Sequence, residues 1–362
     1  MSCDVARKAT RAATVAAWLC AASLASAHAS IVVSSGRLDL NTAGGFAGGR
    51  HLGSESSALL QWGASLDTSQ AGWWRGGRFD VSVEGVRAGG SPSAGTQVLQ
   101  WPDNEWAPNF LRVYQATYEQ RWQRALLRAG IMDINQYFEA SDVADLLHNA
   151  SFGLAPTFTA NFNDPSFPNP GLGAMVQWRA DSAWRARAGV WQGDPPGLGG
   201  ALHRGDLSVF EVERDWGSTG ADAPATDLKL GAWRYSQPDA ALGANTAGAY
   251  VVGETRWREA GRQWGAFVLA GNAPADRNLV RDFLGAGVLV GGPFAGRPDD
   301  SFSAGVTQVR ISGLHAETVL EAVYSWQLAS DLALQPDVQR VWAPGGLGAP
   351  AWIAGARLHL TF

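Results

Sequence analysis

Between residues 137 and 164 the chain collects Tyr137, Phe138, Glu139, Asp142, Asp145, Asn149, Phe152, Asn161, Asn163 and Asp164. Carboxylates and amides of this kind exchange hydrogen bonds with a polar solute, and aromatic faces stack on its apolar side. A second set, Glu119, Arg128, Arg185 and Arg187, lies on flanking segments, followed by Glu254, Arg256, Glu317, Glu321 and Arg357. Neither set looks catalytic. There is no H-E-x-x-H, no G-x-S-x-G and no Walker loop. The six histidines (His28, His51, His148, His203, His315, His359) are scattered without a pair at ligand spacing. The sequence therefore proposes no catalytic residue, no metal and no cofactor. A Ser/His constellation assembled in space would leave no local trace. Whatever these groups contact, other elements must aim them.

Those elements read as strands. The chain ends "ARLHLTF", where Ala356, Leu358, Leu360 and Phe362 alternate with Arg357, His359 and Thr361. A soluble edge strand of that pattern invites aggregation, whereas a strand with one face on lipid and the other on water does not. The same period of two recurs at 58–67, 77–88, 110–120, 124–134, 171–180, 183–192, 227–236, 248–258, 262–271, 315–329, 331–342 and 351–362. Weaker segments near 31–40, 207–214, 282–292 and 301–312 bring the total to about sixteen. The expected fold is all-β, a transmembrane antiparallel barrel of about sixteen strands with a short helical constriction segment in its lumen.

Composition agrees. Of 362 residues 44 are Gly and 17 Trp, and only 17% are charged, against roughly 25% in soluble domains. Trp122, Trp184, Trp257, Trp264, Trp326, Trp342 and Trp352 fall near strand ends, at headgroup level for a membrane barrel. Residues 1–29 read as a secretory signal: Arg7, Lys8 and Arg11 precede an apolar run, then "ASAHA" offers cleavage after Ala27 or Ala29. Residues 30–362 then form one domain. Both cysteines, Cys3 and Cys20, lie in the signal, so the exported chain has no thiol. Net charge passes from −5 to (28−3)−(33−1) = −7, which disfavours nucleic acid as a partner.

If the first strand rises from the periplasm, the long links at 42–56, 89–107, 135–168 and 194–205 fall outside. The tight turns near Trp122, Asp181 and Gly261 then fall inside, as in outer-membrane barrels. The break at Gly313 reads as too short for an outer loop. The link 135–168 is longer than a hairpin needs. Ser141 as N-cap, Asp142 in the first turn and Val143, Leu146 and Leu147 on one face predict a short helix there, folded into the lumen. A ring of mixed charge disfavours a purely ionic permeant and tolerates a neutral polyol.

Three stretches carry a family resemblance. "GWWRGGRFDVSVEG" (72–85), "YEQRWQRALLRAGIMDINQYFEASDVADLLHNASFG" (118–153) and "LQPDVQRVWAPGG" (334–346) resemble the carbohydrate-selective porins of the OprB type. The resemblance implies passive diffusion of mono- or oligosaccharides across the bacterial outer membrane. It also implies contact with outer-membrane lipid, and a C-terminal strand ending in Phe362 that the barrel-assembly machinery reads. A general or ion-preferring diffusion porin is the alternative. A barrel hydrolase or adhesin is a third reading.

Overall fold

The computed structural model describes residues 31–48, 53–90, 97–193, 195, 205–217, 224–236 and 245–362. The expected signal segment lies outside them. Sixteen antiparallel strands close into a barrel in which each strand pairs with its sequence neighbours and the first pairs with the last. In order they are β1 Val32–Gly48, β2 Ser54–Asp67, β3 Gly77–Gly90, β4 Phe110–Arg121, β5 Ala125–Met132, β6 Gly171–Arg179, β7 Trp184–Gln192 and β8 Asp206–Asp215. The second half comprises β9 Ala225–Ser236, β10 Thr246–Glu259, β11 Arg262–Asn272, β12 Val280–Gly291, β13 Ser301–Ile311, β14 Glu317–Ala329, β15 Leu332–Trp342 and β16 Ala351–Thr361.

Closure rests on the last residues. Arg37 lies opposite Thr361 and Leu40 opposite Leu358. Beyond that register Gly36 N–H donates to the Phe362 carbonyl at 2.8 Å and Phe362 N–H to the Gly36 carbonyl at 3.0 Å. A Cβ at Gly36 would meet the Phe362 ring at 2.5 Å, so the terminal aromatic needs a glycine beneath it. The wall thereby closes without a free edge strand, the condition for crossing hydrocarbon with strands.

Burial is inverted relative to a soluble protein. Leu60, Trp62, Val81, Leu111 and Leu284 are exposed, while Glu84, Glu119, Glu211 and Glu321 are buried. The alternating set that a soluble sandwich would hide faces outward, where lipid is the solvent. The inward face is not uniformly polar, however. Trp233, Tyr235, Tyr250, Phe267, Leu269, Phe283 and Val309 on β9 to β13 are buried together inside the barrel, because something apolar packs on them.

Two boundaries differ from the sequence reading. β1 runs to Gly48 because "TAGGFAG", which reads as loop, pairs with β16 and, as far as Gly44, with β2. The connection at Gly313 does lie at the end that carries the long links, as residues 312–316 between β13 and β14. Gly313 adopts φ +75° there, the left-handed turn that lets so short a link reverse the chain.

Leu60→Arg, on the outward face midway along β2, should cost about 2–4 kcal/mol of unfolding free energy in lipid vesicles. Urea titration of the folded protein reads the loss, and a soluble barrel would show almost none.

Candidate functional site

The apolar inner wall receives the long connection between β5 and β6, residues 133–170. Val143, Ala144, Leu147, Phe152, Leu154 and Phe158 of this loop are buried in one cluster with wall residues of β9 to β13. Phe152 meets Phe267 edge-on at 5.8 Å, Phe158 meets Trp233 at 5.4 Å, and Phe162 stacks on Tyr235 at 4.2 Å. Glycines make the seat. A Cβ at Gly305 would strike Phe152 at 2.7 Å and Leu147 at 2.9 Å, and one at Gly271 would strike the Thr157 hydroxyl at 2.3 Å. The barrel thus has a dry core inside its lumen, built like a protein interior.

Backbone polarity of the loop is satisfied by glutamates of the wall. Glu211 accepts from Glu139 N–H at 3.1 Å. Glu254 accepts from the Ser141 hydroxyl at 2.6 Å and Val143 N–H at 3.3 Å. Glu321 accepts from His148 N–H at 2.8 Å and Asn149 N–H at 3.0 Å. Lys229 donates to the Ala140 carbonyl at 2.6 Å. This corrects the expected helix on Ser141. Residues 142–146 are turns: Ser141 Oγ does accept from Ala144 N–H at 3.3 Å as a cap would, but Glu321 takes the His148 and Asn149 amides that would have continued a helix. The helical pieces are instead two 3-10 turns, Ile134–Gln136 and Ala150–Phe152, and one helical turn, Pro156–Thr159.

A second loop, between β3 and β4, also folds inward, and the sequence reading missed it. Glu317 accepts from Leu99 N–H at 2.9 Å and Gln100 N–H at 2.8 Å. Arg357 reaches Asp103 at 3.1 Å and Glu105 at 3.3 Å, and Arg37 reaches Glu105 at 3.0 Å. The two loops are joined: Asn104 N–H donates to the His148 carbonyl at 2.8 Å, and Ala150 N–H to the Trp101 carbonyl at 2.9 Å. The available signal was "LQWPDNEWAP", two tryptophans around a carboxylate pair, too aromatic for a solvated link.

What remains open is a cavity of about 1050 Å³ between the first loop and the opposite wall. Arg37, Gln61, Glu84, Tyr114, Arg357 and His359 line it from the wall, and Asp142, Asp145, Asn163 and Asp164 from the loop. Asp142 and Asp145 are exposed to it, and Arg256 holds Asp142 at 2.9 Å. Burial works against the Glu105 carboxylate, but Arg357 and Arg37 outweigh it and hold the group below its ordinary range. Burial raises Asp164 to about 7, against the hydrogen bond from Ser166.

The other expected residues lie elsewhere. Phe138 is buried edge-on against Trp191 at 5.6 Å, and Glu139 is buried under the loop in a left-handed conformation of φ +55°. Burial raises the Glu139 carboxyl well above its ordinary value. Asn149 is a strut, donating to the Gln100 carbonyl and to Gln339, both at 3.1 Å. Asn161 clamps β12 by donating to the Val280 carbonyl at 2.7 Å, and Arg185 pairs with Glu213 at 2.8 Å. Glu254, Glu317 and Glu321 point inward, but the loops consume them.

Glu119, Arg128, Tyr137 and Arg187 line a separate chamber of about 370 Å³ beneath the loop. Arg128 pairs with Glu119 and donates to the Tyr137 hydroxyl at 2.9 Å. Arg187 lies between Glu211 and Glu213, 2.8 Å from the latter. The fold also gathers His148, Glu321 and Asp337 with ligand atoms within 4.8 Å of one another. Linear spacing hid that grouping. Its hydrogen bonds tie the loop to β14 and β15: Gln335 meets His148 at 3.2 Å, and Gln339 donates to Asp337 at 3.1 Å.

Comparison with known proteins decides the family. The sequence profile of the carbohydrate-selective porins, OprB family, matches residues 53–362. The chain belongs to that family. It is a sugar-selective outer-membrane porin, a channel by family and fold. Among solved structures it resembles Pseudomonas putida OprB at high pH, with TM-score 0.82, 15% identity, and 91% of this chain and 94% of that chain covered. The low-pH structure of the same protein gives 0.61 at 15% identity, covering 91% and 92%. A loop-deletion mutant of OmpT from Vibrio cholerae gives 0.55 at 12% identity, covering 91% and 100%. At such identities these structures establish the fold of the porin. A search of curated proteins gave no match.

Removing the acceptor in Glu321→Ala should strand two loop amides, destabilise the porin by about 1–3 kcal/mol and enlarge and destabilise the single-channel conductance. A steady wild-type current would place the loop anchor elsewhere. A second expectation concerns pH. The folded Asp164 keeps its proton up to about pH 7, whereas an unfolded carboxyl releases it near about 4. The folded state then binds more protons, so this group lowers stability as pH rises from about 4 to about 7. Asp164→Asn should raise the urea midpoint at pH 8, by up to about 4 kcal/mol in free energy, and leave it unchanged at pH 3.5.

Proposed function

We propose that sugar crosses the porin between the exposed face of loop 133–170 and the wall of β16, β1, β2 and β3. Asp142, Asp145 and Gln136 stand on one side of the path and Arg37, Gln61 and Arg357 on the other. The observation that carries this reading is the cavity of about 1050 Å³ lined by both sets. Carboxylate and amide acceptors with guanidinium donors replace the water around successive hydroxyls, and no one sign of charge rings the path. Asn163 and Asp164 extend the polar lining beside them. Arg128, Tyr137, Arg187 and Glu119 meet the solute beneath the loop, and Phe138, Glu139, Asn149 and Arg185 act by holding the loop and wall in place.

The same proposal covers biogenesis. The leader at 1–29 directs export, and the assembly machinery recognises the last strand through Phe362. Paired through its backbone to Gly36 with its ring exposed, that residue supports the reading as the seam of the closed barrel. Outer-membrane lipid covers the apolar outward set.

In a planar bilayer, glucose should interrupt the current in a concentration-dependent way, and liposomes should pass glucose faster than an amino acid of equal size. Equal passage would favour a general diffusion porin. Asp142→Ala with Asp145→Ala should shift the reversal potential toward anions. An unmoved potential would take that face of the loop out of the path.

A further inference from the structure

Two regions of the lumen carry opposite charge, and each contains ionic groups that nothing neutralises. On the loop, Asp145 is exposed to the main cavity without an ion-pair partner among the described residues, whereas its neighbour Asp142 is paired with Arg256. Beneath the loop, the chamber of about 370 Å³ is lined by Arg121, Arg124, Arg128, Arg179 and Arg187 against the single carboxylate of Glu119. Glu119 serves both Arg121 and Arg128, and Arg187 is held by Glu211 and Glu213. Arg124 and Arg179 have no side-chain partner among the described residues. They are neighbours across β5 and β6, since Arg179 N–H donates to the Arg124 carbonyl at 2.8 Å. Both are exposed at the short-turn, periplasmic end. Gln136 lines both cavities, so the two regions adjoin.

We propose that these opposed zones, acidic at Asp145 and basic at Arg124 and Arg179, act together as a filter for uncharged solutes. The inference rests on the sugar-conducting reading above. A cation gains at the loop and is repelled at the chamber; an anion meets the reverse. Either sign faces one barrier, and a neutral polyol faces none. The low-dielectric wall focuses both fields across the lumen, and salt screens each beyond about 10 Å at 0.1 M, so each zone acts on a permeant as it passes. A single acidic zone would only have exchanged anion passage for cation passage. The chamber is what turns charge preference into charge rejection.

The test is Arg124→Gln with Arg179→Gln in the intact, refolded porin. Both side chains are exposed and unpaired, so the fold does not depend on them. Under a tenfold KCl gradient the potassium-to-chloride permeability ratio should rise by about two- to fivefold. In liposomes, passage of protonated glucosamine relative to glucose should rise in the same direction, and that of gluconate should fall. Arg124→Lys with Arg179→Lys should keep the wild-type ratios, because charge rather than shape is at work. Unchanged ratios in the glutamine variant, or a shift equally large in the lysine variant, overturn the filter. The two readings fail separately. A shifted permeability ratio in a porin that passes glucose no faster than amino acids supports the charge zones and sinks sugar selectivity. Selective glucose passage with unshifted ratios does the opposite.

Discussion

The structure depends on a transaction between wall glutamates and loop amides. Glu211, Glu254, Glu317 and Glu321 are buried inside the barrel, where an unpaired carboxylate is costly. Loops folded into a lumen carry the complementary problem of backbone N–H groups cut off from water. Each helps to solve the other, while Arg187 and Arg256 also pair with Glu211 and Glu254. The amides of Glu139, Val143, His148 and Asn149 in one loop, and of Leu99 and Gln100 in the other, donate to these carboxylates. A hydrogen bond to a charged acceptor contributes about 1.5–3 kcal/mol net. Several of them, spread over β8, β10 and β14, fix a segment that has almost no regular structure of its own.

From that docking follows the division of the lumen. The side from β9 to β13 presents aromatic and aliphatic residues inward and becomes a dry seat, with Gly271 and Gly305 leaving room for Thr157, Phe152 and Leu147. The side formed by β16 and β1 to β4 keeps its polar residues and lines the open cavity. The two infolded loops bridge the halves, joined to each other through His148 and Trp101. The cavity is therefore eccentric. Its charge pattern is set by which loop residues the docking leaves uncovered, and so Asp145 faces the cavity while Glu139, six residues earlier, does not.

Much of the wall was legible in the sequence because a strand with lipid on one face announces itself by a period of two. The closing strand "ARLHLTF" read correctly down to which residues turn inward. Periodicity failed where side chains are absent, as in the glycine-rich upper half of β1. For the loops only existence and inward direction could be read. Ser141 does cap the Ala144 amide, but the helix that local rules place after it does not form. The competing acceptors, Glu254 and Glu321, lie more than a hundred residues away in sequence. Asn149 and Phe138 looked like solute contacts for the same reason. Residue type tells what a group can bond, and only the fold tells that Gln339 and Trp191 have already taken it. The inward course of residues 97–109 was hidden because Glu317 and Arg357, which hold it, come from the far end of the chain.

The most direct test of this account is amide hydrogen exchange on the folded porin in detergent or lipid discs. Amides bonded to wall glutamates, those of Val143, His148, Asn149, Leu99 and Gln100, should exchange slowly, on the timescale of the barrel strands. Exchange at those positions as fast as in the 312–316 turn, with the strands still protected, would mean that the loops are not docked. The divided lumen would then have no basis.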